Sequence, residues 1–181
     1  MAAMLTYRTN MTDAPAIARP SQLWKSLPPD RRLQAAEAFW NEQEAGLEQA
    51  EAVALIAQKI KFRAKSVIAM PAEKRARHLA SFPVVSELVA ARLLVAYHLA
   101  HQRAMMAAFL DAVGIAHENG MIADDDAKAP APEALRKGAA AIAGQFPKDD
   151  VALYLSTLLW QDPETWGALA DAPERTVSAP A

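Results

Sequence analysis

Apolar positions along this chain follow helical rather than strand periods. In 47–66 and just beyond, Val53, Ile56, Ile60 and Val67 recur at helical spacing, which marks one buried stripe on a long helix. The stretch 84–113 behaves differently. On a wheel of about 100° per residue, Leu88, Val89, Leu93, Leu94, Val95, Leu99, Met106, Phe109 and Leu110 point in nearly every direction. A helix that is apolar all round is surrounded by other elements. The pattern therefore predicts a central buried helix over 84–113, flanked by the stripe helix and by the helix carrying Tyr154, Leu155, Leu158 and Leu159.

The same stretch is the one place where a membrane span needs testing. A spanning helix takes about 20 mostly apolar residues. Arg92, His98, His101 and Arg103 fall inside a window of that length, so the span is rejected.

Punctuation divides the rest. Ser21 is placed to cap a short helix over QLWKSL. Pro28-Pro29 opens the next, with Asp30 in its first turn, where a negative charge suits the helix dipole. The stripe helix follows a bend near Gly46 and is predicted to run to about Ser66. Pro71 opens a helix that Pro83 ends, and Gly114 fits the left-handed stop after 84–113. Asn119-Gly120 between short apolar ends is a type I′ turn signal, so a very small β-hairpin is expected near 115–122. Three more helices follow: PEALRKGAAAIAGQF, DDVALYLSTLLWQ with Asp149 as its cap, and PETWGALAD behind Asp162-Pro163.

The fold expected is all-α: a compact bundle of six to eight helices, or a short array of helical hairpins. The hairpin array rests on an echo between 26–39 and 69–82, in which Pro28, Arg32 and Phe39 match Pro71, Arg75 and Phe82. One helical domain over 21–171 is expected. Residues 1–20 and 172–181 lack apolar periodicity and read as tails.

Composition sharpens this picture. Abundant Ala and scarce Gly favour helix. The first twenty residues lack the basic start and apolar run of about 7–15 residues that a signal peptide requires. With no cysteine, thiolate metal sites, disulfides and cysteine nucleophiles are excluded, which fits a cytoplasmic protein. A formal net charge of −2 makes no case for bulk binding to nucleic acid or a membrane surface.

Charge is unevenly placed, however. Glu42–Glu51 holds four glutamates and no base. Between Lys59 and Arg77 stand seven bases (Lys59, Lys61, Arg63, Lys65, Lys74, Arg75 and Arg77) against one acid, Glu73. Acid early and base late suits the dipole of the stripe helix on its own. The same bases also define a docking face for another protein or a second copy. Nucleic acid is the lesser alternative, because no recognition helix follows a tight turn.

Candidate chemistry is sparse. His98 and His101, spaced i and i+3, share an arc with Glu87 and Gln102 and are the candidate metal ligands. Partner carboxylates would have to come from other helices. His117-Glu118 and Asp124-Asp125-Asp126 form an acidic loop cluster without calcium-loop spacing. No phosphate loop, no G-x-S-x-G and no H-E-x-x-H is present, so no catalytic residue and no cofactor is assigned, and an enzyme is the lesser reading without being excluded. Trp24, Trp40, Trp160 and Trp166 sit in short or terminal segments and read as lids on the core. The expectation is a non-enzymatic protein-interaction module using 59–78, with a His98/His101 metal protein or enzyme as the alternative.

Overall fold

The structure, a computed structural model, describes residues 17–43, 46–123 and 128–175. The aspartates 124–126 lie outside these. Among the described residues the chain forms α1 (Pro20–Ser26), α2 (Pro29–Asn41), α3 (Gly46–Ile60), α4 (Ala64–Ile68), α5 (Ala72–Ala80), α6 (Glu87–His101) and α7 (Arg103–Val113). A hairpin follows, β1 (His117–Glu118) and β2 (Met121–Ile122), then α8 (Pro132–Ala143), α9 (Lys148–Gln161) and α10 (Pro163–Trp166). Two 3-10 turns, Gly167–Asp171 and Pro173–Arg175, complete the order. The fold is all-α with one tiny antiparallel hairpin. Among the described residues no helix is long and apolar enough to cross a membrane.

The segment 84–113 is not one helix. It breaks at Gln102, whose φ of −123° and ψ of 17° leave the helical basin. No proline or glycine causes this. The Arg103 side chain enters the backbone ladder instead: its Nε donates to the Leu99 carbonyl at 2.9 Å, the acceptor that a continuous helix would offer to the Arg103 amide. Arg103 Nη1 also donates to Asn119 O at 3.2 Å, which ties the break to the hairpin turn.

The break has a structural counterpart in the core, which forms two clusters. The first gathers α1–α6, with Trp24, Phe39, Ile56, Leu79, Leu93 and Leu94 fully enclosed. The second gathers α7–α10, including Met105, Phe109, Leu135, Ile142 and Leu155. One helix belongs to both. Leu153 of α9 joins the first cluster, while Val151, Tyr154 and Leu155 join the second. Every residue from Asp150 to Thr157 is buried, so α9, not 84–113, is the wrapped helix of this protein. α6 by contrast leaves Leu88 exposed and Val95 and Leu99 only half-buried.

A polar chain crosses the same junction. Arg31 of α2 forms an ion pair with Asp150 of α9. Tyr97 donates to that carboxylate at 3.4 Å and accepts from Gln102 Nε2 at 3.2 Å.

Helix ends follow local chemistry, with three departures from the sequence reading. α3 stops at Ile60 rather than near Ser66, because Lys61 turns left-handed (φ 57°) and Phe62 N donates back to Ala57 O at 2.9 Å. That is a Schellman stop with lysine where glycine is usual. Ser21 does not cap α1; its Oγ and N both donate to Glu87 at the start of α6. Asp149 lies in the first turn of α9, and Pro147 holds the cap position. Elsewhere the signals act as expected. Gly114 (φ 76°) ends α7 with Ile115 N donating to Leu110 O at 2.9 Å. Asn119 and Gly120 take positive φ, pairing His117 with Ile122 and Glu118 with Met121. Asp162 Oδ1 accepts from Glu164 N and Thr165 N, and hydrogen bonding from Thr165, side chain first and then backbone, holds its carboxyl below the usual range.

The echoed segments pack on each other as α2 and α5, and Pro28 and Pro71 occupy the same N-cap position. Arg75 lies over the Trp40 ring, 4.4 Å from its centroid. Trp24, Trp40 and Trp166 are buried members of the core clusters, and Trp160 is half-buried. Ala172 is buried in the second cluster, so packed structure continues past residue 171.

Candidate functional site

Two regions present chemistry. The first is the basic segment. Its backbone is the Lys61 turn, the short helix α4 and the first turn of α5. Lys59, Lys61, Arg63, Lys65, Lys74 and Arg77 are exposed. Arg75 is drawn away from them onto Trp40. Among the described residues none of the seven joins an ion pair; the pairs that form are Arg31–Asp150, Arg92–Glu42 and His117–Asp111. Between the bases stand two large apolar side chains with no cover, Phe62 at 53% and Ile68 at 60% exposure. Val67 alone anchors α4, at 0% exposure in the first core cluster. The sequence reading found the bases but not Phe62 and Ile68; it ran the stripe helix through Phe62 to about Ser66 and gave Ile68 no role.

The second region is a cleft of about 380 Å³ at the Gln102 break. Val95 and Leu99 of α6, Met106 and Leu110 of α7, and Leu158 of α9 give it apolar walls. The hairpin supplies the rim with Met121 and Ile122. Gly120 is required there. A Cβ on it would stand 2.9 Å from both Arg103 O and Met106 Cβ, so only glycine lets the turn close onto α7.

His98 and Tyr154 line this cleft, with ring centroids 5.4 Å apart. Thr157 Oγ1 donates to Leu153 O at 2.8 Å, so its 3.2 Å contact with His98 Nε2 has the imidazole as donor. The proton then sits on Nε2, and Nδ1 is a buried acceptor with no partner among the described residues. Burial pushes the His98 pKa down to about 3 and pushes the Tyr154 phenol up. Both are therefore neutral near pH 7. Arg92 stands at the cleft with its charge offset by Glu42, 2.7 Å away.

The four residues that the helical wheel puts on one arc part company. Glu87 is engaged with Ser21, whose hydrogen bonds hold its carboxyl below the usual range. His98 is buried against Thr157, whereas His101 is exposed beside the Tyr97 ring, 5.5 Å between centroids. Gln102 serves Tyr97. Among the described residues no group of three or more His, Cys, Asp and Glu is placed to hold a metal ion. His117 contacts Asp111 at 3.1 Å.

The class defined so far is an all-α protein built on two cores that share a helix, with an uncovered basic and apolar face and a closed-in apolar cleft. No protein-family model, curated protein or solved structure matches this chain.

Proposed function

We propose that this chain is a non-enzymatic, cytoplasmic protein-binding module whose contact face is the Lys59–Lys65 turn with α4 and the outer side of α5. The observation that carries the reading is the exposure of Phe62 and Ile68 among bases that have no acidic partner among the described residues. Large apolar side chains ringed by desolvable charge are the composition of an interface centre with its rim. The left-handed Lys61 adds a second argument. A lysine in that conformation costs about 1–3 kcal/mol, and such strain collects at functional turns. The partner expected is an acidic protein segment with one or two apolar anchors.

The test is affinity capture from the source cells. Wild type is compared with the combined Lys61→Glu, Phe62→Ser, Arg63→Glu and Lys65→Glu variant, and with Arg136→Glu/Lys137→Glu on α8 as a charge control. The expected result is a set of proteins held by wild type and control and lost by the first variant. Identical retention by all three defeats the reading. Salt-dependent retention of DNA or RNA through the same bases would replace it with nucleic-acid binding.

A further inference from the structure

We propose that the cleft at the Gln102 break is a binding site for a small, uncharged, mainly apolar ring compound. The site is independent of the basic face.

Four observations converge on that chemistry. The volume, about 380 Å³, is that of a small-ligand pocket, which typically falls at about 300–1,000 Å³. The cleft is built rather than left over: Arg103 holds the break open at Leu99 O, and Gly120 brings the hairpin onto α7 as its rim. Its walls are aliphatic side chains and two methionines, Met106 and Met121, whose sulfurs favour aromatic rings. The titratable groups at the cleft carry no unbalanced charge: Arg92 is paired with Glu42, and His98 is neutral with its Nδ1 shut away from solvent.

Charge selects against ions. An anion entering this cleft would meet Arg92 only by competing with Glu42, and would face an imidazole that burial keeps uncharged. A cation would meet no carboxylate among the cleft-lining residues. A neutral apolar ring loses little on desolvation and gains burial against the aliphatic walls. The ring fills the space between Val95, Leu110 and Met121.

The test titrates purified protein with indole, 1-methylindole and indole-2-carboxylate, followed by ligand-observed NMR. 1-Methylindole removes the N–H, and the carboxylate adds a charge. Wild type is expected to bind indole saturably, with a dissociation constant below about 1 mM. 1-Methylindole is expected to bind comparably, and indole-2-carboxylate about tenfold more weakly. Val95→Trp fills a half-buried wall position and abolishes binding of both compounds, with thermal unfolding used to confirm that it folds. The inference is overturned if indole shows no saturable binding to wild type. It is equally overturned if Val95→Trp folds and binds indole as wild type does, or if indole-2-carboxylate binds more tightly than indole.

Discussion

His98 makes stability depend on pH in a window where few other groups titrate. In the folded chain its pKa is about 3, against 6.5 for the free side chain. Between these values the unfolded chain binds the proton and the folded chain does not. Stability is therefore full above pH 6.5 and falls as the pH drops toward 3, at up to about 1.4 kcal/mol per pH unit. From pH 7 to pH 5 the loss is about 2 kcal/mol, large against the ~5–15 kcal/mol of an ordinary domain. Glu87 and Asp162, also held below their usual values, act in the same direction but at lower pH, since their ordinary values are 4.5 and 3.8. The window from 7 to 5 thus separates the imidazole from these two carboxylates, and the His98 variant separates it from the other histidines. Urea unfolding at pH 7, 6 and 5, analysed by linear extrapolation, measures the effect. His98→Gln, which cannot take up a proton, should remove most of the slope. A wild-type stability that is flat from pH 7 to 5, or a slope that His98→Gln leaves intact, would refute the burial argument.

Further outcomes follow from packing and backbone geometry. Gly138→Ala should destabilise by roughly 1–2 kcal/mol. Its Cβ would stand 2.6 Å from Val113 Cγ1, and overpacking of about 1–3 kcal/mol outweighs a helix gain of about 1 kcal/mol. Thermal unfolding reads this, with partial rescue expected on adding Val113→Ala; a more stable single variant would contradict it. Lys61→Gly should stabilise by roughly 1 kcal/mol by relieving the positive φ, and a loss of stability in denaturant melts would count against the strain. Arg103→Leu leaves Leu99 O and Asn119 O without their donor, at a cost of about 1–3 kcal/mol. Hydrogen exchange at the hairpin amides should quicken, and unchanged exchange would deny the tie. Asp150→Ala should cost roughly 2–4 kcal/mol, reduced from the full value of a buried pair because Arg31 is partly solvated. Urea unfolding checks it.

What could be read in the sequence was whatever depends on neighbours along the chain. The Gly114 stop, the Asn119-Gly120 turn, the proline starts of α2 and α5 and the Asp162 cap all rest on local chemistry, and the structure places each as expected. The Gln102 break was not legible. Its cause is an arginine side chain held by a hairpin carbonyl farther along the chain, and nothing in AHQRAM marks it. The hydrophobic wheel failed for a related reason. Leu88, Val95 and Leu99 look like core residues, but one faces solvent and two line the cleft. The candidate site was half visible. The bases stand out in any charge count, whereas Phe62 and Ile68 became recognisable only once Lys61 had ended α3. His98 was singled out for the wrong companion: the residue it meets is Thr157, on a helix that comes late in the chain.

That lateness governs how the chain can be assembled. Because Leu153 completes one cluster and Tyr154 the other, neither half is sealed before α9 arrives. On the ribosome, the residues up to α8 emerge with apolar flanks open and wait for a single amphipathic-free rod to close both at once. A chain cut short ahead of Lys148 would leave apolar surface of both clusters open, the condition that favours aggregation.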